Sequence, residues 1–266
     1  AGTDTLRLDM KGNLTALTGS VSNVENVELT NATTIARTFD AKNISGVEKY
    51  TLDSAKGITL SNVAATGIEV AYKGTQGDTT VAFASKATAA TTDAMTISLN
   101  GVGAAKVLNT DGTEKTAQVN SQITMTGVED VTLKTTGTES FVKLSAMNAT
   151  TLTANGSANL TISAVKDGLT SVDASALSAN LTANLNGVVA ANSLKSIVTS
   201  TGDDSITAET ASLTANALIA LGKGTDKLTL TGDAATTQFE MSGVETVAFE
   251  NSVTTDAVFS AKNVTG

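Results

Sequence analysis

One eight-residue phrase recurs along this chain and limits the folds open to it. Its copies are SNVENVEL, SGVEKYTL, TGVEDVTL and SGVETVAF, at Ser22–Leu29, Ser45–Leu52, Thr126–Leu133 and Ser242–Phe249, and a shorter form, TGIE, lies at Thr66–Glu69. The first two copies and the short form begin 23 and 21 residues apart. A period of this length is typical of solenoids, in which each repeat packs only on its neighbours.

A much longer repeat encloses the short one. Eleven of the residues between Ser22 and Gly46 reappear between Ser242 and Gly266 with an offset of 220, and GTDTLRL near the beginning of the chain reappears as GTDKLTL with an offset of 222. We therefore expect the chain to begin inside one copy of a long unit and to end inside the next, as a fragment of a larger repetitive protein.

The local pattern predicts strands. Val27 and Leu29 flank Glu28, which is the alternation of a half-buried strand. The chain contains no Pro, so every residue keeps a backbone N–H that can donate to a neighbouring strand. We predict an all-β fold, a parallel β-solenoid of the β-helix or β-roll type, with little helix and about 20–25 residues per coil. The alternative is a set of β-sandwich domains.

The solenoid is expected to run through residues 1–266 as one continuous segment, with an irregular excursion at 100–125. Asp111-Gly112 resembles a hairpin turn between VLN and the segment that ends in ITM. Two segments, Asn180–Ser196 and Thr210–Leu221, carry Ala and Leu at near-helical spacing and are the only candidates for helix.

The Glu in the recurring phrase poses an electrostatic problem. If Glu25, Glu48 and Glu69 align on successive coils, their carboxylates repeat about every 4.8 Å and repel one another. We expect exposure to solvent to relieve this repulsion first and cations second, with neighbouring Lys as another source of relief.

Composition excludes several classes of function. With His 0 and Cys 0, the chain has no Ser-His-Asp triad, no thiolate metal site and no disulfide. A net charge of −9 argues against nucleic-acid binding, which needs clustered Lys and Arg. The sequence contains no run of 18 apolar residues, so no transmembrane helix is predicted. We expect no enzyme, although Asp203-Asp204 is the carboxylate pair that a polysaccharide-acting β-helix enzyme would use.

Three turns fit the pattern G-x-D-x-[L/I], at Gly2–Leu6, Gly202–Ile206 and Gly224–Leu228. The last extends to GKGTDKL, which matches most of the calcium-binding nonapeptide of β-helix repeats. Tight Gly turns expose carbonyl oxygens, and Asp adds charge for a cation that takes six to eight oxygens. Because Gly202 and Gly224 are 22 residues apart, Asp203 or Asp204 is expected to lie near Asp226.

The GVExVxL phrases, the G-x-D-x-L turns and the composition rich in Thr, Ala, Ser and Asn together resemble the RTX-related surface-layer (S-layer) proteins of Gram-negative bacteria. The resemblance implies a β-solenoid that a type I system secretes to the cell surface, and calcium-dependent assembly into a crystalline coat. It carries the calcium role to Asp226, and then to Asp204 and Asp4. The chain departs from RTX proteins in having no tandem array of nonapeptides and no recognisable export signal.

Three hypotheses about function follow. The first is a structural subunit of a bacterial surface layer that associates with copies of itself in a lattice, with cell-surface polysaccharide held by regions outside this segment. The second is a stalk or passenger repeat of a large secreted adhesin, with a ligand-recognising loop around Gly103 to Gln122. The third is a polysaccharide-acting enzyme that depends on Asp203 and Asp204.

Overall fold

The fold is a stack of flattened coils, each made of two strands. The structure is a computed structural model that describes residues 2–74, 77–90, 92–145, 148–165, 168–188, 193–232, 239–250 and 264–265. Its described residues form a twelve-stranded and a ten-stranded sheet, and the chain passes from one sheet to the other in about 11 turns. The predicted all-β parallel solenoid is therefore confirmed.

Strands are numbered β1 to β26 along the chain. The twelve-stranded sheet contains, in spatial order, β1 (Thr5–Asp9), β3 (Asn26–Asn31), β6 (Lys49–Ser54), β8 (Glu69–Lys73), β10 (Ala94–Asn100), β14 (Asp130–Thr135), β16 (Thr151–Gly156), β18 (Ser171–Leu177), β20 (Leu194–Val198), β22 (Leu213–Ala220), β24 (Glu240–Ser242) and β26 (Val264–Thr265). The ten-stranded sheet contains β4 (Arg37–Asp40), β7 (Ile58–Val63), β9 (Thr79–Phe83), β13 (Ser121–Met125), β15 (Ser140–Ser145), β17 (Leu160–Ile162), β19 (Leu181–Asn184), β21 (Ser205–Glu209), β23 (Lys227–Thr231) and β25 (Thr246–Glu250). The short strands β2 (Val21–Ser22) and β5 (Ile44–Ser45) form a separate parallel pair.

Neighbouring strands of both large sheets are parallel and in register. Asn26 pairs with Lys49, a step of 23 residues, and Thr151 pairs with Ser171, a step of 20 residues. Ala94 pairs with Asp130 after 36 residues, because the chain leaves the stack between them. This order of parallel pairing, coil upon coil, rules out the alternative of β-sandwich domains, whose sheets are antiparallel.

The core is a thin layer between the two sheets. Alternate strand residues point inward and stack on the equivalent residue of the next coil, as in the buried column Leu29, Leu52, Tyr72 and Leu99. Because small aliphatic side chains fill this narrow space, the low aromatic content of 3 % is sufficient.

The expectation of helix was wrong in both candidate segments. Residues 181–184 and 194–198 form β19 and β20, and Leu213–Ala220 forms β22 after a single 3-10 turn at Thr210–Ser212. In β19, for example, buried Leu181 and Ala183 alternate with exposed Thr182 and Asn184, so pairing with neighbouring coils outweighed intrinsic helix propensity. No helix of the described residues is long and apolar enough to cross a membrane.

A hairpin leaves the stack after β10. Its antiparallel strands β11 (Val107–Leu108) and β12 (Glu114–Thr116) are joined by a turn in which Gly112 has a φ of +83°, and every residue from 105 to 117 is exposed. The segment that ends in ITM is not its partner strand, because Ser121–Met125 returns to the stack as β13. We call residues 104–119 the projecting hairpin.

The first strands of the two copies of the long unit lie on opposite sheets. The GTDTLRL copy enters β1 and the SNVENVEL copy enters β3, both in the twelve-stranded sheet, whereas the later copies enter β23 and β25 of the ten-stranded sheet. From β1 to β22 the chain makes nine steps along the twelve-stranded sheet, and β23 follows half a coil later. The repeated sequence can therefore form a strand of either sheet. It determines where a strand begins, and not which sheet the strand joins.

Candidate functional site: carboxylates at the corners

The recurring Glu occupies a corner position, which we define as the residue directly before a strand of a large sheet. Glu25 precedes β3, and one of its carboxylate oxygens accepts a hydrogen bond of 2.7 Å from the N–H of Asp4 in the preceding coil. Its carbonyl accepts the N–H groups of Glu48 and Lys49 from the following coil, at 2.9 and 3.0 Å. A single residue thereby joins three coils.

The same contacts recur at other copies of the phrase. Glu129 accepts the N–H of Asp93 at 2.9 Å, and Glu245 accepts the N–H of Asp226 at 2.7 Å. At a corner the backbone turns away from the ladder, so the N–H of the residue below needs another acceptor. A carboxylate supplies a charge-assisted one, which is a structural reason for the repeated Glu.

Glu69 departs from the predicted alignment. Glu25 and Glu48 occupy equivalent positions on successive coils, but Glu69 lies one residue further along, where it pairs with Lys49. Its carboxylate forms an ion pair of 2.8 Å with the Lys49 ammonium. The predicted three-carboxylate column is therefore wrong, and the exposed position of Glu48 together with this Lys relieves the repulsion.

The acidic corner, defined as Asp203, Asp204, Asp226 and Glu245, brings together most of the predicted metal-site residues. The Asp204 carboxylate accepts the N–H of Leu181, and the Asp226 carboxylate accepts the N–H of Asp204, both at 2.7 Å. Asp204 and Asp226 are 2 % and 1 % exposed. Their second oxygens, Oδ2, are buried and have no hydrogen-bond partner.

These surroundings favour the neutral form of both acids. Burial raises the pKa of Asp204 above its ordinary value, and the Thr199 side chain and the N–H of Leu181 offset part of the effect. Burial also raises the pKa of Asp226, and the negative charges of Asp204, Glu245 and Asp203 raise it further. The corner therefore binds protons more tightly than a solvated pair of Asp side chains.

The corner residues do not fit a calcium ion. Calcium takes six to eight oxygens, whereas each buried Asp here has one oxygen committed to a backbone N–H and one enclosed without solvent. In the described ranges, no group of three or more Asp, Glu, His or Cys side chains is placed to hold a metal ion. Asp4 lies eight coils away, beside Glu25, and takes no part in the acidic corner.

The structure also separates Asp203 from Asp204. Asp203 is exposed and accepts the N–H of Thr225 at 2.9 Å, while Asp204 is buried. Adjacent strand-entry residues point to opposite sides, so the two carboxylates are not presented together to one substrate. The pair proposed for glycan chemistry does not form a shared site.

Sequence reasoning missed a basic depression on the outer face of the twelve-stranded sheet. This basic groove is lined by Lys49, Glu69, Lys73 and Lys134 around a floor of Ala71 and Ser98, which pair across β8 and β10. Lys49 and Lys134 are 85 residues apart in the chain (134 − 49). Only the register of four coils brings them together, and no local motif signals it.

We expect Glu129 to stabilise the fold by accepting a hydrogen bond, and not to bind a ligand. Glu129→Ala leaves the part-buried N–H of Asp93 unpaired and is expected to lower the free energy of unfolding by about 1–2 kcal/mol. Glu129→Gln keeps an acceptor and is the matched control, expected to stay within about 0.5 kcal/mol of the parent. Denaturant unfolding measures both, and equal losses would contradict this role.

Comparison with known proteins returned no match to a family model, a curated protein or a solved structure. A proposal about function therefore rests on the contacts described above and on the family resemblance of the sequence.

Proposed function

We propose that this chain is a structural subunit of a bacterial surface layer, a self-assembling coat. The observation that carries the proposal is the parallel stack of the described strands, in which backbone ladders join each coil to its neighbours and the carboxylates of Glu25, Glu129 and Glu245 add contacts between coils. Such a stack is stiff along its axis, as a tile in a coat must be. The acidic side chains of the phrase serve this stiffness.

Secretion to the cell surface is part of the proposal and rests on the resemblance to RTX-related surface-layer proteins. The absence of Cys suits an exported chain that needs no thiol chemistry.

Calcium-dependent assembly is also part of the proposal, but at a different place from the one predicted. Since the acidic corner does not fit the ion, we place calcium between copies, at carboxylates that are exposed on the coil corners, such as Glu48 and Asp203. Copies with a net charge of −9 repel one another, and a divalent cation offsets that repulsion.

Electron microscopy of the source cells tests the coat. The expected result is a periodic surface array that contains this protein and that disperses when calcium is chelated. A surface without periodicity would overturn the coat, and an array that persists unchanged in chelator would remove calcium from it.

The projecting hairpin favours one second candidate, a stalk or passenger repeat of an adhesin. Val107 and Leu108 are 48 % and 50 % exposed on this element, as expected of a ligand-recognising loop. An adhesin shows as fibres without a lattice in the same micrographs.

A further inference from the structure

The basic groove is a local reversal of charge on an acidic protein. Its lining carries three Lys and one Glu, a charge of +2 (+3 − 1), in a chain of −9. Lys49 is neutralised by Glu69, but within the described residues Lys73 and Lys134 have no carboxylate within 4.0 Å. Asp53, which follows Leu52 on the coil before Lys73, forms no ion pair with it.

The groove has a definite shape. Its lysines stand on β6, β8 and β14, while the floor between them consists of the small side chains of Ala71 and Ser98. Three steps between neighbouring strands separate β6 from β14, which corresponds to about 14 Å. Burial alone raises the pKa of Glu69, but hydrogen bonds from Lys49 and Ser98, together with the charges of Lys49 and Lys134, hold it below its ordinary value.

The projecting hairpin carries the opposite charge at its tip. The turn 109–113 contains Asp111 and no basic residue, and Glu114 follows it as the first residue of β12. Lys106 and Lys115 lie further down the stem. The Asp111 carboxylate is fixed by the hydroxyl and N–H of Thr113, at 2.6 and 2.9 Å, and these bonds lower its pKa. The Asp111 carboxylate is therefore held in a fixed position at the tip.

The hairpin is held by its own hydrogen bonds, but its stem leaves apolar side chains exposed. Two strands of two and three residues are marginal in water, and Val107, Leu108 and Val119 remain exposed on the stem. In the described structure, neither Asp111 nor Glu114 forms an ion pair. Two strands are about 5 Å apart, so the tip is narrower than the groove.

We propose that the acidic tip of the projecting hairpin docks in the basic groove of a second copy of this chain. Asp111 and Glu114 then face Lys73 and Lys134, and the apolar stem covers the aliphatic parts of the lysines. The contact joins two different surfaces, so it extends an assembly unless geometry closes it into a ring. The inference deepens the proposed coat function by naming one contact between copies.

Sugars are a weaker occupant of the groove. Tyr72 is the one aromatic residue among its lining residues, and this side chain is 2 % exposed, so no ring is available for stacking on a sugar. A second copy, in contrast, carries the carboxylates of Asp111 and Glu114 at the end of a projecting element of suitable width, while the two lysines of the hairpin, Lys106 and Lys115, lie on its stem.

Sedimentation velocity on the whole chain tests the contact, with chelator present throughout so that calcium bridges do not contribute. The parent is expected to self-associate at low salt and to lose at least about tenfold in affinity at high salt. Two double variants reverse the charge of one surface each: the groove variant Lys73→Glu/Lys134→Glu and the tip variant Asp111→Lys/Glu114→Lys. Each is expected to weaken association by at least about tenfold. An equimolar mixture of the two double variants restores it, because each reversed surface then meets an opposite charge.

Two controls separate this contact from net charge and folding. Lys143→Glu/Lys195→Glu makes the same charge change at two exposed lysines outside the groove and is expected to associate like the parent. Asp111→Asn/Glu114→Gln removes the tip charges while an oxygen remains at residue 111 to accept from Thr113, and it is expected to weaken association. Circular dichroism checks that each variant is folded.

The proposal is overturned if the parent stays monomeric at every concentration, if the groove and tip variants associate like the parent, or if the mixture fails to restore association. Calcium-dependent sheets formed by the groove variant would leave the coat standing while this contact fails. If the mixture restores association but cells show no periodic coat, the contact between copies is supported and the coat function is not.

Discussion

Gly57→Ala is expected to cause a large local loss of stability, about 3 kcal/mol or more, because two penalties coincide. Gly57 lies at the corner between β6 and β7 with a φ of +92°, a conformation that strains any residue with a side chain. A Cβ there would also lie 1.9 Å from the carbonyl oxygen of Asp78 in the next coil. The spacing between coils leaves no space for it, so the backbone has to move.

Gly67→Ala is the matched control. Gly67 lies in the turn before β8 with a φ of +76°, but a Cβ at this position meets nothing within 4 Å. Only the conformational strain remains, so a loss of about 1 kcal/mol is expected. Equal losses for the two variants would show that contact between coils is not the cause.

Hydrogen exchange locates the damage of Gly57→Ala. In a solenoid each coil contacts only its neighbours, so exchange is expected to accelerate in β7 and β9, which flank the clash, and to stay unchanged in distant β19. Uniform acceleration over the whole chain would instead indicate one cooperative unit.

Asp226→Asn is expected to stabilise the protein at neutral pH, by about 1 kcal/mol or more. In the parent, the folded state buries an Asp226 oxygen without a donor, beside the charges of Asp204, Asp203 and Glu245. Asn keeps an oxygen for the N–H of Asp204 and removes the charge. It resembles the protonated acid at every pH.

The sign of the pH dependence follows from the raised pKa of Asp226. The folded state binds the proton more tightly than the unfolded state, so this contribution to stability is complete below the unfolded value of 3.8. It is lost as the pH rises through the folded pKa. Denaturant unfolding across this range should therefore show parent and Asp226→Asn nearly equal in acid, with the variant more stable at neutral pH.

Asp203→Asn is the control for Asp226→Asn, because Asp203 is the exposed neighbour in the same corner and Asn retains the acceptor for Thr225. A change within about 0.5 kcal/mol is expected. If calcium instead stabilised the parent and Asp226→Asn abolished that gain, the ion would belong at this corner after all.

The class of fold follows from local features of the chain. Three local features are enough to predict a parallel solenoid: the alternation at Val27 and Leu29, the turn residues at the corners, and the step of 21–23 residues between phrases. Each of these features can be read from residues that are close together in the sequence. The hairpin turn at Asp111-Gly112 is local in the same sense. The partner strand was missed, since ITM has the pattern of a strand in either place.

Register, burial and surface charge depend on distances summed over many turns. Glu69 is shifted by one residue relative to Glu48, so it pairs with Lys49 and the predicted column of carboxylates does not form. The second copy of the long unit begins half a coil later than a whole number of coils, so its first strands lie in the other sheet. Asp204 and Asp226 meet as expected, but their enclosure by neighbouring coils raises their pKa values, and no group of three or more acidic side chains forms a metal site among the described residues. The basic groove arises because loops of unequal length bring Lys49, Lys73 and Lys134 to one face, and no pattern within a single coil encodes that sum.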